Sequence, residues 1–241
     1  MKGVILAGGL ATRLRPLTLV TNKHLLPIYN KPMIFYPIEA MQKAGIEEVL
    51  LVTGSSHAGA FVNLFRTGEE FGFRLSYGIQ QEAGGIAQGI ALAESFADEE
   101  KLLVLLGDNI FFYNLKSAAE QFERKKQGAK VFAIEMPTQS GQYGVIEVDK
   151  DKKVLSIEEK PQHPKSNLAQ TGIYMYDNRV FDFIRKLKPS KRGELEVTDL
   201  NNFYVQEGTM ECEILDWWVD AGTSFDELLR ANNLVAQKVK N

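Results

Sequence analysis

The chain has 241 residues, 44% of them hydrophobic and 24% charged, with a net charge of −3. That length and composition suit one large α/β domain or two small ones, and the slightly acidic balance excludes broad electrostatic docking, so neither nucleic acid nor a membrane is an expected partner. The lone Cys212 excludes an internal disulfide and reads as a small buried hydrophobe in a reducing cytosol. No apolar run reaches the length of a secretory or membrane-spanning segment, and a cytoplasmic protein is expected.

Taken in chain order, a short apolar run at residues 4–6 predicts a buried strand that breaks into Gly8-Gly9. Residues 32–44 read as a helix stopped by Gly45, with Pro37 bending it or ending its first part. A second strand is expected at 49–53. A helix follows over 58–71, with Phe61, Leu64 and Phe65 on one face. A strand at 74–79, a helix at 86–96, the wholly apolar strand Leu102–Leu106, a helix at 115–126 and a strand at 131–136 complete the first pattern. Alternating strands and helices with continuous apolar strands imply a mostly parallel sheet covered on both faces. Ligands of such sheets bind beyond the carboxyl ends of the strands, where Gly8, Gly54, Gln80 and Asp108 fall. The second half differs. Residues 143–148 and 154–159 alternate across a charged turn as a hairpin, Leu168–Tyr176 is a further strand, and helices are expected at 179–187, 200–206 and 225–239. No repeat or linker divides the chain. A single domain of residues 1–241 is expected, with an α/β nucleotide half over 1–128 and a mixed half over 129–241, the half to which the resemblance given below assigns the sugar.

The polar residues between these elements suggest an anion site. Gly8 and Gly9 let the backbone turn sharply and present successive N–H groups. Thr12, the forked donor of Arg13 and the mobile charge of Lys23 follow. The loop lacks the Gly-Lys-Ser/Thr of a P-loop and the Gly-x-Gly-x-x-Gly of a dinucleotide site. Asp108 ends the most apolar strand and is placed for Mg²⁺, unless it only serves a turn; Asp220 is its candidate partner, unless it caps the last helix. Glu159-Lys160 is either a solvated pair or a sugar-phosphate contact. Tyr143-Gly144 and Thr171-Gly172 offer strand-end groups. Gln80 can meet a base edge with one donor and one acceptor, Gly84-Gly85 allows close approach, and Gln88 either joins it or stays exposed. His24, His57 and His163 lack metal-ligand spacing and read as structural or surface residues. No nucleophile–base pair is visible, which points to direct phosphoryl or nucleotidyl transfer.

The blocks LAGGLATRLRPLT, NKPMIFYP, LLGDN, YGVIEVD, EEKP, TGIYMYD, GELEVTDLN and WWVDAGT lie in this order over nearly the whole chain. In them the sequence resembles the sugar nucleotidyltransferase family, and within it the glucose-1-phosphate thymidylyltransferases. The resemblance implies a Rossmann-like nucleotide-diphospho-sugar transferase fold. It also implies the Mg²⁺-dependent reaction of dTTP with glucose 1-phosphate to dTDP-glucose and pyrophosphate, feeding deoxysugar synthesis such as the rhamnose route. Leu6, Ala7, Gly8, Gly9, Thr12 and Arg13 would cradle the nucleotide, with Gln80, Gly85 and Gln88 on the base side. Lys23 would face the triphosphate and Lys160 the sugar phosphate. Asn109, Tyr143, Gly144, Glu159, Thr171 and Trp218 would form the sugar side, and Asp108 and Asp220 would hold Mg²⁺. A homo-oligomer is expected. The sequence departs from the family at Gln81-Glu82-Ala83, where prolines are usual, and ends without the extra helical segment of longer members. UTP or another sugar 1-phosphate, or a non-catalytic nucleotide-sugar sensor, stay open as alternatives.

Overall fold

A computed structural model describes residues 1–136 and 140–240. In chain order the strands are β1 (Lys2–Ala7), β2 (Pro27–Ile28), β3 (Lys31–Pro32), β4 (Glu48–Gly54), β5 (Arg74–Gln80), β6 (Leu102–Leu106), β7 (Asn109–Phe111), β8 (Ala129–Glu135), β9 (Gly144–Val148), β10 (Val154–Glu159), β11 (Leu168–Tyr176), β12 (Met210–Leu215) and β13 (Trp218–Asp220). The α-helices are α1 (Phe35–Ala44), α2 (Ala58–Phe65), α3 (Ile86–Ala91), α4 (Glu94–Ala97), α5 (Lys116–Glu123), α6 (Val180–Ile184), α7 (Val197–Gln206) and α8 (Phe225–Lys240).

The main sheet runs β5-β4-β1-β6-β11-β8-β12, and the β9–β10 hairpin joins it where Val145 meets Ala169. Strands β5, β4, β1 and β6 are parallel. β11 runs against both of its neighbours, β6 and β8, and β12 lies parallel to β8. The sheet is therefore mostly parallel, as the strand–helix alternation predicts, with its mixed part in the second half of the chain.

Period-two alternation explains why both faces are covered. Val4, Leu6 and Val104 pack with α3, α6 and α7 through Ile90, Phe183 and Leu200. Ile5, Ala7, Leu103 and Leu105 face the other way, onto Met41 of α1, Phe61 of α2 and Phe122 of α5. Each fully buried Val, Leu or Ile side chain contributes roughly 1.5–3 kcal/mol. A third, smaller core joins Ile28, Ile110 and Val219 to Ala231 and Val235 of α8. It clamps the short β7–β13 ladder against the rest of the molecule.

Several boundaries differ from the sequence pattern for local reasons. The expected helix over 32–44 begins at Phe35, because Pro32 is paired in β3. Pro37 does not bend it: it sits in the first turn, where a missing N–H costs no hydrogen bond. The helix expected over 58–71 stops at Phe65, where Arg66 takes a φ of 48°. Leu64 is consequently 37% exposed, while Phe61 and Phe65 are buried. The pattern over 86–96 splits into α3 and α4. α7 begins at Val197, three residues before the expected start at Leu200. β12 carries no apolar run, because Glu211 and Glu213 on it reach Lys125 and Lys130 instead of the core; Cys212 lies between them, largely buried, its thiol pushed up to about 12 by burial and Glu213.

Candidate active site

Lys23, Asp108 and Asp220 converge because three chain segments end at one edge of the sheet. Gly107 follows β6 and donates its N–H to Leu6 O at 2.9 Å, which sets Asp108 beside the end of β1. Antiparallel pairing of β13 with β7 places Asp220 opposite Asn109. Ala221 N then donates to Asp108 O at 3.0 Å. Two carboxylates distant in sequence thus share one end of a three-residue ladder.

Lys23 arrives from a different direction. Asn22 caps the single turn Lys23–Leu25: its Oδ1 accepts from His24 N at 2.9 Å and lies 2.7 Å from His24 Nδ1. Its Nδ2 donates to Ala7 O at 3.3 Å, tying the turn to the end of β1. Held this way, Lys23 Nζ lies 2.5 Å from Asp108 Oδ2. Gly222 makes the meeting possible. A Cβ on it would stand 2.3 Å from Asp108 Oδ2 and 2.9 Å from Lys23 Nζ, inside contact distance of both.

The charges perturb one another. Burial disfavours the Lys23 ammonium, but Asp108 outweighs it and raises the lysine pKa. Burial likewise opposes the Asp108 carboxylate, and Lys23 more than compensates, holding it well below the usual carboxylate range. Asp220 lacks such a partner: burial, then the charge of Asp108, push it up to about 7. His24 is buried and kept neutral, its pKa lowered to about 3 by burial and by Lys23. Arg13 stands on the exposed turn Thr12–Leu14 and reaches this cluster only as a charge that opposes Lys23 protonation.

Two cavities open on this cluster. One, of about 230 Å³, is lined by Leu6, Gly8, Gly9, Lys23, His24, Gln80, Gly85 and Asp108. Its floor at Gly84-Gly85 is held by the 190s loop, with Leu195 N donating to Gly84 O at 2.8 Å. The other, also about 230 Å³, is lined by Asn109, Tyr143, Gly144, Glu159, Lys160, Thr171, Trp218 and Asp220. Ile86, Leu106 and Glu194 line both, so the two adjoin. A third cavity, of about 360 Å³, lies outside the glycine loop against Arg15, Asn22, Lys23 and Gln80.

The second cavity has a fixed frame. Asn109 Oδ1 accepts from Gly172 N at 2.7 Å and from Trp218 Nε1 at 2.6 Å, and its Nδ2 donates to Asp108 Oδ1 at 3.0 Å. Its carboxamide oxygen is therefore committed to the protein. Thr171 is committed as well, its hydroxyl donating to Phe132 O at 2.8 Å. Tyr143 and Trp218 meet edge to face at 5.3 Å. Glu159 accepts from Thr198 Oγ1 at 2.8 Å and lies 3.8 Å from Lys160 Nζ. Lys160 itself has a φ of 44°, which turns it back over the hairpin end, and its N–H donates to Tyr143 O at 3.1 Å.

The structure thus brings Leu6, Gly8, Gly9, Lys23, Gln80, Gly85 and Asp108 to one cavity, and the hairpin residues with Trp218 and Asp220 to its neighbour. Thr12 and Arg13 line neither, and on this loop Arg15 lines only the third, outer cavity. Ala7 is wholly buried beneath the loop. Gln88 bonds to Gln80 rather than lining a cavity. Asp220 accepts from Gly222 N at 2.9 Å, and the α8 cap is made by Ser224, whose Oγ accepts from Glu227 N at 3.1 Å. Sequence reasoning missed Asn22, His24, Arg192, Glu194 and Glu196. The first two show no periodicity, and the only signal in 192–196 is alternating charge.

The fold and site can be set beside known proteins. Residues 2–238 match the model of the nucleotidyl transferase family. The glucose-1-phosphate thymidylyltransferase of Neisseria gonorrhoeae is 43% identical over 245 residues, covering 100% of this chain and 84% of its own. That of Mycolicibacterium smegmatis is 43% identical over 239 residues, covering 98% of this chain and 82% of its own. A Bacillus anthracis chain crystallised with a sucrose, and assigned as a glucose-1-phosphate thymidylyltransferase, superposes with a TM-score of 0.91 at 44% identity, over 97% of this chain and 94% of that one. A UDP-glucose pyrophosphorylase in complex with UDP-glucose shares the fold, with a TM-score of 0.85 at 24% identity over 98% of each chain. A family model matched over nearly the full length, with relatives that share two-fifths of their residues, leads to one conclusion: the chain belongs to the nucleotidyl transferase family.

Proposed function

We propose that this chain transfers the thymidylyl group of dTTP to glucose 1-phosphate, giving dTDP-glucose and pyrophosphate. One observation carries the reading: two adjoining cavities, one lined by glycines, Gln80, Lys23 and Asp108 and one framed by Glu159, Lys160, Trp218 and Asp220, share a wall of Ile86, Leu106 and Glu194. The relatives named above carry this activity in their names.

The obstacle in the reaction is charge, since a sugar phosphate must approach a triphosphate. A phosphate oxygen of glucose 1-phosphate attacks the α-phosphorus, the new P–O bond forms, and the bond to the β-phosphate oxygen breaks in line with it. A single displacement inverts configuration at phosphorus and needs no protein nucleophile. Lys23 faces the nucleotide phosphates and Lys160 the sugar phosphate, so the two ammonium groups offset the repulsion from either side. Arg13 adds positive charge from the exposed loop. Backbone N–H groups at Gly8 and Gly9 donate to the phosphate oxygens in a concave turn. Glu159 and the Gly144 backbone receive the sugar hydroxyls, and Trp218 forms the apolar wall.

The acidic pair fits Mg²⁺. No cluster of three or more metal-ligating side chains occurs among the described residues, and Mg²⁺ in phosphoryl-transfer sites takes only one or two carboxylates, completing its shell with water and phosphate oxygens. Asp220, buried and raised toward neutrality beside Asp108, is a carboxylate that a divalent cation would relieve. Asp108 and Asp220 would hold the ion, which when bound would supply charge neutralisation for the leaving pyrophosphate. Pyrophosphate release on mixing dTTP, glucose 1-phosphate and Mg²⁺ tests the reading, and failure to release it with any nucleoside triphosphate and sugar phosphate overturns it.

A further inference from the structure

We propose that Gln88 sets which pyrimidine the nucleotide cavity takes, by fixing the orientation of the Gln80 carboxamide. The inference rests on the nucleotide role of that cavity proposed above and deepens it. Gln88 lies in the first turn of α3. Its Oε1 accepts from Gly84 N at 3.1 Å and from Gln80 Nε2 at 2.8 Å. A backbone N–H can only donate, so Gly84 decides which end of the Gln88 carboxamide faces it. That oxygen in turn requires the amino group of Gln80. The second hydrogen of the same amino group goes to Gly85 O at 3.2 Å.

Both donors of Gln80 are thereby used within the protein. The sequence alone offers Gln80 a donor and an acceptor for a base; the structure leaves the acceptor. Gln80 Oε1 lies over Gly8, 2.6 Å from where a Cβ on that residue would stand, and nothing among the described residues donates to it. Gln80 lines the cavity with Gly8, Gly9, Ala83 and Gly85. A free carbonyl oxygen there asks the base for an N–H. Thymine and uracil present one at N3, whereas cytosine presents a lone pair at the same position. Turning the Gln80 carboxamide over to suit cytosine would set its oxygen against Gly85 O and Gln88 Oε1 together, two acceptor–acceptor contacts.

A second observation supports the arrangement. A Cβ on Gly84 would stand 2.3 Å from Gln88 Cδ. The Gln88 carboxamide therefore occupies space that opens only because residue 84 has no side chain. Gln88 acts on the base through Gln80 and is a positioning residue.

The test compares the parent protein with Gln88→Met, Gln88→Glu and Gly84→Ala. Dissociation constants for dTTP, dUTP and dCTP are measured by calorimetry without sugar phosphate, and kcat/KM for dTTP and dCTP by pyrophosphate release. The parent should favour dTTP and dUTP over dCTP by about 100-fold or more, since a committed polar site rejects a ligand that leaves it unpaired. Gln88→Met frees the Gln80 carboxamide, and Gly84→Ala displaces Gln88; each should narrow that ratio by about tenfold or more. Gln88→Glu keeps an oxygen for both donors and should retain the parental ratio. Because the readout is a ratio within one protein, a general loss of folded material cancels. An unchanged ratio in both Gln88→Met and Gly84→Ala, a loss in Gln88→Glu equal to that in Gln88→Met, or equal binding of dTTP and dCTP by the parent would overturn the inference. A parent that releases no pyrophosphate from any nucleotide would instead overturn the transfer reaction.

Discussion

The ammonium of Lys23 and Oδ2 of Asp108 meet at 2.5 Å in the space that a side chain at residue 222 would fill. Lysine, carboxylate and glycine come from three separate segments, and each makes the position of the others possible. The pairing also holds a buried carboxylate ionised beside Asp220, which has no comparable partner.

Lys23→Ala removes the ammonium from the phosphate side and leaves Asp108 buried without its counter-ion. Turnover should fall by about two orders of magnitude, matching the roughly 3 kcal/mol lost when one preorganised donor is deleted. The ligand-free protein should also lose about 3 kcal/mol of stability, as when one partner of a buried ion pair is removed. Steady-state kinetics and urea unfolding check the two separately; full turnover would remove Lys23 from the reaction.

Gly222→Ala tests the close approach directly. The new methyl would push on Asp108 and Lys23 while leaving the sheet and its two main cores untouched. We expect kcat/KM to fall about 100-fold with a melting temperature lowered by only a few degrees, the size of a roughly 1 kcal/mol change in a domain this large. A variant that works as well as the parent would show that the pair has room to spare.

Asp108→Asn and Asp220→Asn should each raise the Mg²⁺ concentration needed for half-maximal rate by about tenfold or more. The two differ in stability. Asp108→Asn leaves Lys23 buried and unpaired, so it should destabilise the metal-free protein. Asp220→Asn removes a carboxylate that burial and Asp108 disfavour, so it should leave that protein as stable as the parent or more so. Metal titrations and thermal melts in chelator separate these outcomes, and equal metal dependence in parent and variant would take that residue out of the site.

The neutral, buried His24 makes acid stability predictable. Its folded pKa is about 3, against 6.5 for the exposed group. Between those values the unfolded chain binds a proton that the native protein refuses, so the contribution of His24 to stability falls as pH drops through 6.5 toward 3. At pH 5 the loss from this residue alone is about 2 kcal/mol relative to pH 7.5. From pH 7.5 to 5 the change in urea midpoint should be less favourable in the parent than in His24→Gln; Asp220, pushed up to about 7, takes up a proton in the native state over the same range and contributes with the opposite sign in both proteins. Parallel curves would assign the acid sensitivity elsewhere.

The strands of the main sheet could be read from the chain because their apolar runs are long and bounded by turn residues, as at Leu102–Leu106. β12 could not, because its alternate residues answer to Lys125 and Lys130 on neighbouring segments rather than to the core. Helix ends failed where the stop was a single backbone angle, as at Arg66. In the site, Asp108 and Asp220 stood out because each follows an apolar strand and precedes a turn. Asn22 and His24 did not, since what marks them is a set of hydrogen bonds to the end of β1 that no periodicity encodes. The sequence left Gln88 open between the base side and an exposed helical position; the Gly84 N–H shows which way its carboxamide must point.

The Asn109 carboxamide oxygen accepts from Gly172 on β11 and from Trp218 on β13, while the same residue pairs with Asp220 across the ladder. A single side chain thus sets the spacing between the Trp218 wall of one cavity and the carboxylates Asp108 and Asp220. The two halves of the chain are consequently not exchangeable modules. A chimera that takes residues before the β9–β10 hairpin from one relative and the remainder from another inherits working geometry only where both parents agree on this one junction, so recombination breakpoints in engineered hybrids belong outside the stretch from Asn109 to Asp220.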